Sequence, residues 1–314
     1  VGRTAAWVMS GDPSPLEQEI AAIQPRFAFV NYGTNDMGMG ATYRSALSPF
    51  YQHFNDLLDA LEERGIVPIV TGLNPRADLA SAARWVPTYN AVVLGVAEAR
   101  QIPFIHLYRA VVDLPGMGLI SDGIHGNVYQ GGVAEPCDFS APALQYNYNV
   151  RNLLSVEALD AARRAVLEGE PAPDDVADGY TGAGTVDDPL VIDRLPFTHA
   201  GDTRRSASSV FHAYPSCDDG QDESGPELVY RLELAEETAL RVFVLDRGGV
   251  DVDVHLLEAL DGASCLERDD MMIERTLDAG TYYVVADTFV ANGAEAAGAY
   301  QLVVVACEPG DPAC

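Results

Sequence analysis

At 314 residues, 48% of them apolar, the chain exceeds the usual size of one compact domain and can bury a core in each of two. Nineteen arginines, no lysine and 47 acidic residues leave a formal charge of -28, which repels phosphate backbones and anionic lipid surfaces and argues against a nucleic-acid partner. No apolar run approaches the ~20 residues of a transmembrane segment, and the opening residues lack the charged, apolar and small-residue order of a signal peptide.

Through residue 168, short apolar runs alternate with longer helical patterns. Residues 27–32, 66–70 and 102–107 read as buried strands, being short, rich in β-branched and aromatic residues and bounded by turn formers. Between them, residues 49–64 repeat Phe50, Phe54, Leu57, Leu58 and Leu61 at helical spacing and stop at Gly65. Residues 86–100 predict a second helix and residues 155–167 a closing one. Such alternation predicts a parallel sheet with right-handed crossovers. The loop from Gly33 to Asp36 leaves the first strand at its carboxyl end, the edge where open α/β sheets bind ligands.

Residues 169–186 are rich in Pro, Gly and Asp without periodicity and read as a linker. From 187 to 314 the pattern changes to period two. It runs through Leu228, Tyr230, Leu232 and Leu234, then Leu240, Val242 and Val244, then Val250, Val252, Val254 and Leu256. Tyr282, Val284 and Ala286 continue it, as do Tyr300, Leu302 and Val304. With turn formers at residues 246–249 and 278–280, this predicts an antiparallel β-sandwich. Asp251 and Asp253 alternate with valines, so they are expected on the solvent face of their strand in preference to a calcium site. His106 sits in a strand pattern and reads as a core histidine, while His53, His199, His212 and His255 are scattered without ligand spacing. Five cysteines show neither a C-x-x-C pair nor a zinc-spaced His/Cys cluster, which points to disulfides outside the cytoplasm. Cys307 can pair with Cys314 and Cys217 with Cys265, leaving Cys137 over.

Two short motifs carry chemistry. Asp122-Gly123-Ile124-His125 sets an acid and an imidazole three residues apart, so the carboxylate can hold one ring nitrogen while the other faces a substrate. Gly33-Thr34-Asn35-Asp36 adds a side-chain amide. Each motif alone reads as a turn or a helix-entry loop. In this order on an α/β pattern they supply most of a hydrolase site without the group that attacks.

Together the motifs resemble the SGNH, or GDSL, family of serine esterases and lipases over about residues 5–168. That resemblance implies a flavodoxin-like three-layer α/β fold, with Asp122 as orienting acid, His125 as general base and Asn35 as side-chain oxyanion donor. Ser10-Gly11-Asp12 resembles the family's second block, which makes Gly11 the backbone donor to the oxyanion. The substrate implied is a carboxylic ester, carried on a glycan or a lipid, and neither a metal nor an organic cofactor is implied. The family's first block, Gly-Asp-Ser, does not precede Ser10, so the first strand and the nucleophile are expected upstream, and the chain alone is expected to be almost inert. Ser10 and Ser121 read as structural. Gly126 stands where a proline often follows the histidine, and residues 129–149 read as an insertion in which Tyr146, Asn147, Tyr148 and Asn149 pack or cap in preference to binding sugar.

Residues 187–307 resemble the bacterial pre-peptidase C-terminal domain, an accessory sandwich common on secreted bacterial hydrolases. The expectation is therefore a hydrolase domain at 1–168, a linker at 169–186 and a sandwich at 187–314, in a secreted or cell-surface bacterial esterase. The alternative is a non-catalytic exported binding or adhesion protein with a degenerate hydrolase domain.

Overall fold

A computed structural model describes residues 2–170, 179–217, 220–312 and 314. By internal contacts the chain divides into two compact units, Val1–Val176 and Ala177–Cys314. Residues 171–178 of the expected linker lie outside the described residues.

The first unit opens with two short helices. In α1 (Ala5–Val8) the Thr4 hydroxyl accepts from the Trp7 amide, and in α2 (Pro15–Ile23) Ser14 and Glu17 cap each other reciprocally. There follow β1 (Phe27–Val30), α3 (Tyr43–Glu62), β2 (Val67–Thr71), α4 (Ala80–Arg100), β3 (Phe104–Ile105), α5 (Leu107–Val111) and α6 (Asn147–Arg163). The three strands pair in parallel in the order β1-β2-β3, with Phe27 opposite Val67 and Val70 opposite Phe104. Ile69 and Ile105 face α5 and α6 in a core shared with Leu107, Val111 and Ala162. Phe50 of α3 meets Tyr89 of α4 at 5.3 Å between ring centroids, with Phe54 beside it on α3, and burying side chains of this size stabilises by roughly 1.5–3 kcal/mol each.

Each strand lies within its predicted segment or one residue beyond it, but the helices start earlier than expected. The predicted starts at residues 49 and 86 lie at or beside Pro49 and Pro87, and both prolines lie inside their helices although each forfeits a helical hydrogen bond. Thr42 and Ser45 form a capping box that starts α3 ahead of its proline, and the buried Ala46 and Leu47 extend its apolar face through that turn. Helix α6 starts at Asn147, so the expected insertion ends within its first turn. Among the described residues β1 pairs with β2 alone; its other edge is open, and Phe29 is 46% exposed. An exposed apolar strand beside a free edge is a template for another strand.

The second unit comprises β4 (Leu190–Ile192), β5 (Phe197–Asp202), β6 (Leu228–Leu234), β7 (Thr238–Asp246), β8 (Val252–Leu257), β9 (Cys265–Asp269) and β10 (Met272–Leu277). It continues through β11 (Gly280–Thr288), the small hairpin β12 (Val290–Ala291) and β13 (Ala294–Glu295), and β14 (Ala299–Ala306). Two sheets, β10-β7-β14-β5 and β4-β6-β11-β8-β9, are antiparallel apart from the parallel β4–β6 pair. Tyr230, Val254 and Val284 of one meet Val242, Ile273 and Leu302 of the other in a single core. Cys217–Cys265 and Cys307–Cys314 are disulfides, and Cys137 is free and exposed.

Strand β8 departs from expectation. Asp251 precedes it and is exposed, but Asp253 is only 2% exposed and is no solvent-face residue. The period-two reading assumed water on the outer face of the sheet. Instead Phe211, Tyr214 and Cys217 of the preceding segment pack there on Val229, Leu257 and Val285.

Candidate active site

The acid and the imidazole are joined. Oδ2 of Asp122 lies 2.7 Å from Nδ1 of His125, while Oδ1 accepts the amides of Ile124 at 2.9 Å and His125 at 3.0 Å. The His125 and Ile124 amides, with the imidazole, hold the exposed Asp122 carboxyl down to about 2, so it is ionised at any working pH. With an ionised acceptor against Nδ1, that nitrogen carries the hydrogen and Nε2 is left as an acceptor.

A tight loop fixes this pair. Ile120 donates its amide to the His125 carbonyl and Gly123 donates to Ile120, so the motif closes on itself. Gly123 has φ +71°, and a Cβ there would lie 2.6 Å from the Asp78 nitrogen. Gly123→Ala is expected to destabilise the protein by about 1–3 kcal/mol through strain, which the melting temperatures of the two proteins check. Gly126 replaces the expected proline for a related reason: the Asn147 side chain occupies the space, with its Oδ1 2.5 Å from where a Cβ would be.

The other motif is built around Asp36. Its buried carboxylate accepts the amides of Ala5 at 2.9 Å and Gly33 at 3.0 Å, tying the loop after β1 to the start of α1. Burial raises the Asp36 carboxyl above its ordinary range, against the lowering effect of those amides. Asn35 beside it is exposed, and its Nδ2 donates to the Arg3 carbonyl at 2.9 Å; a second N–H on that nitrogen stays available.

Residues 72–78, the loop after β2, touch both motifs. Leu73 lies against Gly33, where a Cβ would come within 2.8 Å of its Cδ1, and the Leu73 amide is held by Asn90 of α4 at 2.7 Å. The Ala77 amide donates to the Gly123 carbonyl at 2.8 Å. Asn74 accepts from Asn147 at 3.1 Å. Asn35, Asp122 and His125 therefore sit on loops braced by one segment at the carboxyl end of the sheet.

Gly11 is placed differently from Asn35's neighbours. It lies beyond α1 and is exposed, and among the described hydrogen bonds none joins it to the Asn35 loop; the backbone at Asn35 is that of Arg3. Gly2, next to Arg3, has φ +71° and open space around it. The sequence signal for this segment was a single Gly-Arg-Thr, too short to separate from chance. Ser10 donates its hydroxyl to the Trp7 carbonyl, in keeping with a structural role. His106 is exposed, edge-on to Phe104 at 4.5 Å, rather than a core histidine, because the chain leaves β3 for α5 at that residue. Asn149 accepts from Tyr129 and donates to the Glu135 and Asp138 carbonyls, and Asn127 accepts from the Asn147 amide, so these asparagines staple the loop rather than face solvent.

Residues 3–129 match the model of the GDSL-like lipase/acylhydrolase family. No curated protein matches the chain significantly. Among solved structures, the chain is similar to a GDSL-like lipase from Bacteroides thetaiotaomicron at 20% identity and TM-score 0.39, covering 51% of this chain and 73% of that one. An acetylxylan esterase from Geobacillus stearothermophilus, in a catalytic-mutant form, matches at 14% identity and TM-score 0.38, over 50% of this chain and 68% of that one. The pre-peptidase C-terminal domain of a Bacillus anthracis collagenase matches at 16% identity and TM-score 0.24, over 35% of this chain and 89% of that one. No helix among the described residues is long and apolar enough to cross a membrane.

Proposed function

We infer, from the GDSL-like lipase/acylhydrolase domain that residues 3–129 carry, that the protein is a secreted bacterial serine esterase acting on acyl esters of glycans or lipids. The observation that carries this reading is the 2.7 Å contact between Asp122 and Nδ1 of His125, which leaves Nε2 to take a proton. In the mechanism proposed, His125 accepts the proton of a serine hydroxyl as its oxygen attacks the ester carbonyl. Asp122 holds the imidazole and balances its charge. The free N–H of Asn35 and a backbone amide of the segment beside it, residues 2–3 in preference to Gly11, stabilise the oxyanion. His125 then protonates the leaving alcohol, and water, activated in the same way, releases the acyl group.

The serine in this reading precedes residue 1 and arrives on a strand that adds to the open edge of β1, where Phe29 is exposed. That addition extends the parallel sheet toward a flavodoxin-like three-layer domain ending near residue 168. A linker at 169–186 then leads to a pre-peptidase-type sandwich at 187–314, which holds the enzyme near an insoluble substrate and acts through effective concentration. The two disulfides support an extracytoplasmic setting.

A fluorophosphonate probe tests the assignment on the protein expressed with the coding region that precedes Val1. The expected adduct is one serine ahead of Val1, with labelling lost in His125→Ala. Failure to label, together with no hydrolysis of p-nitrophenyl acetate, would favour the non-catalytic binding protein; an adduct on Ser10 or Ser121 would move the nucleophile into this chain.

A further inference from the structure

The second unit holds a buried polar cluster that the hydrolase reading does not use. Asp253 and His255 are two residues apart on β8 and share its outer face, and Glu223 reaches them from the loop that precedes β6. One donor atom from each, two carboxylate oxygens and an imidazole nitrogen, lie within 4.8 Å of one another. All three side chains are closed off from water: Glu223 is 1% exposed, Asp253 2% and His255 0%.

What separates this group from an ordinary acidic cluster is the hydrogen bonds it lacks. Neither ring nitrogen of His255 has a hydrogen-bond partner, although both are buried. Leaving such groups unsatisfied is costly, and more so where they are charged. The ring is not free to turn away, because Tyr214 stacks on it at 3.6 Å and 15°, and Tyr214 is anchored by donating to Asp287 at 2.6 Å. Arg268 pairs with Asp253 and lies 3.6 Å from Glu223, so one guanidinium faces two carboxylates. The nearest approach of His255 Nε2 to Glu223 is 3.8 Å, too long for a hydrogen bond but near the separation of about 3.4 Å between two donors on one tetrahedral zinc ion.

We propose that Glu223, Asp253 and His255 bind one divalent transition-metal cation of the zinc type, which pins the loop before β6 onto the outer face of the sandwich. The donors decide the class: an imidazole nitrogen with two carboxylates suits zinc and its neighbours, whereas calcium takes six to eight oxygens. A second positive centre there faces two carboxylates that share the one Arg268 guanidinium. The role is structural. It joins a segment already tied by Cys217–Cys265 to the strand beneath it, so metal and disulfide fasten the same cover at two points.

The test uses the whole chain, stripped with EDTA, desalted and titrated with Zn2+ and with Co2+. About one equivalent of either is expected to survive gel filtration, with a visible d–d band from cobalt in a nitrogen and oxygen site and a rise in Tm of about 5 °C or more. His255→Gln and Glu223→Gln are expected to lose the band and the Tm response, and Asp251→Asn, an exposed acid just before β8, to keep both. Far-UV circular dichroism separates loss of the site from loss of the fold. Wild-type protein that retains no metal and melts identically with EDTA or Zn2+ would overturn the proposal. Binding that persists unchanged in folded His255→Gln would overturn it equally.

Discussion

His125→Ala, in the protein that carries the serine, is expected to lower kcat/KM for p-nitrophenyl acetate by at least about ten-thousandfold. In the mechanism proposed, removing the imidazole removes both the group that takes the serine proton and the acid that returns one to the leaving alcohol, so the effect exceeds that of an ordinary contact. The fold should survive, since the His125 side chain is 57% exposed and its loop is held by backbone bonds and by Gly123. Asp122→Asn is expected to cost nearly as much by a different route. The amide can donate to Nδ1 and so favour the tautomer whose Nε2 already carries hydrogen. The pH profile gives a further check. Because the Asp122 carboxyl is lowered to about 2, the carboxylate form persists as pH falls until that point. An acid limb lying well above pH 2 is therefore not the titration of Asp122, and a limb that vanished in a still-active Asp122→Asn variant would contradict the assignment. Unchanged turnover in His125→Ala would end it.

Arg241→Ala should give the largest loss of stability, about 3–5 kcal/mol. The Arg241 side chain is fully buried on β7, donating from Nε to Glu274 of β10 at 2.7 Å and from its terminal nitrogen to Asp311 at 2.5 Å. Glu274 is 11% and Asp311 4% exposed, so removing the cation takes a charge partner from two poorly solvated carboxylates. The same reasoning predicts that Arg241→Ala combined with Glu274→Ala and Asp311→Ala is less damaging than Arg241→Ala alone. Urea unfolding of the wild type, the single variant and the triple variant checks this. A single variant no less stable than the triple one would mean that stranded charge is not the source of the loss.

The period of the apolar pattern made both units legible, because buried strands and helix faces repeat it directly: 27–32, 66–70 and the runs from Leu228 and Tyr300 all fall on strands. Helix starts were less legible. Capping at Thr42, and the turn that Asn147 opens, depend on one or two polar side chains and outweigh the negative signal of a proline. Of the candidate site, the Asp122–His125 contact was readable because its spacing is local. The partner of Asn35 was not: Arg3 lies 32 residues away, and no local pattern encodes which backbone carbonyl meets an amide across a sheet edge. The buried pair Asp253 and His255 was hidden by the rule that alternating polar residues face water, which fails wherever a later-packing segment roofs the sheet.

The loop at residues 72–78 braces the Gly33 turn on one side and the Gly123 turn on the other. Both turns lean on the same piece of backbone, so a displacement at the end of β2 is expected to carry an amide and an imidazole from distant parts of the chain together. In the mechanism proposed, a geometry hung from a single girder tolerates breathing of the scaffold that would misalign one resting on two independent posts.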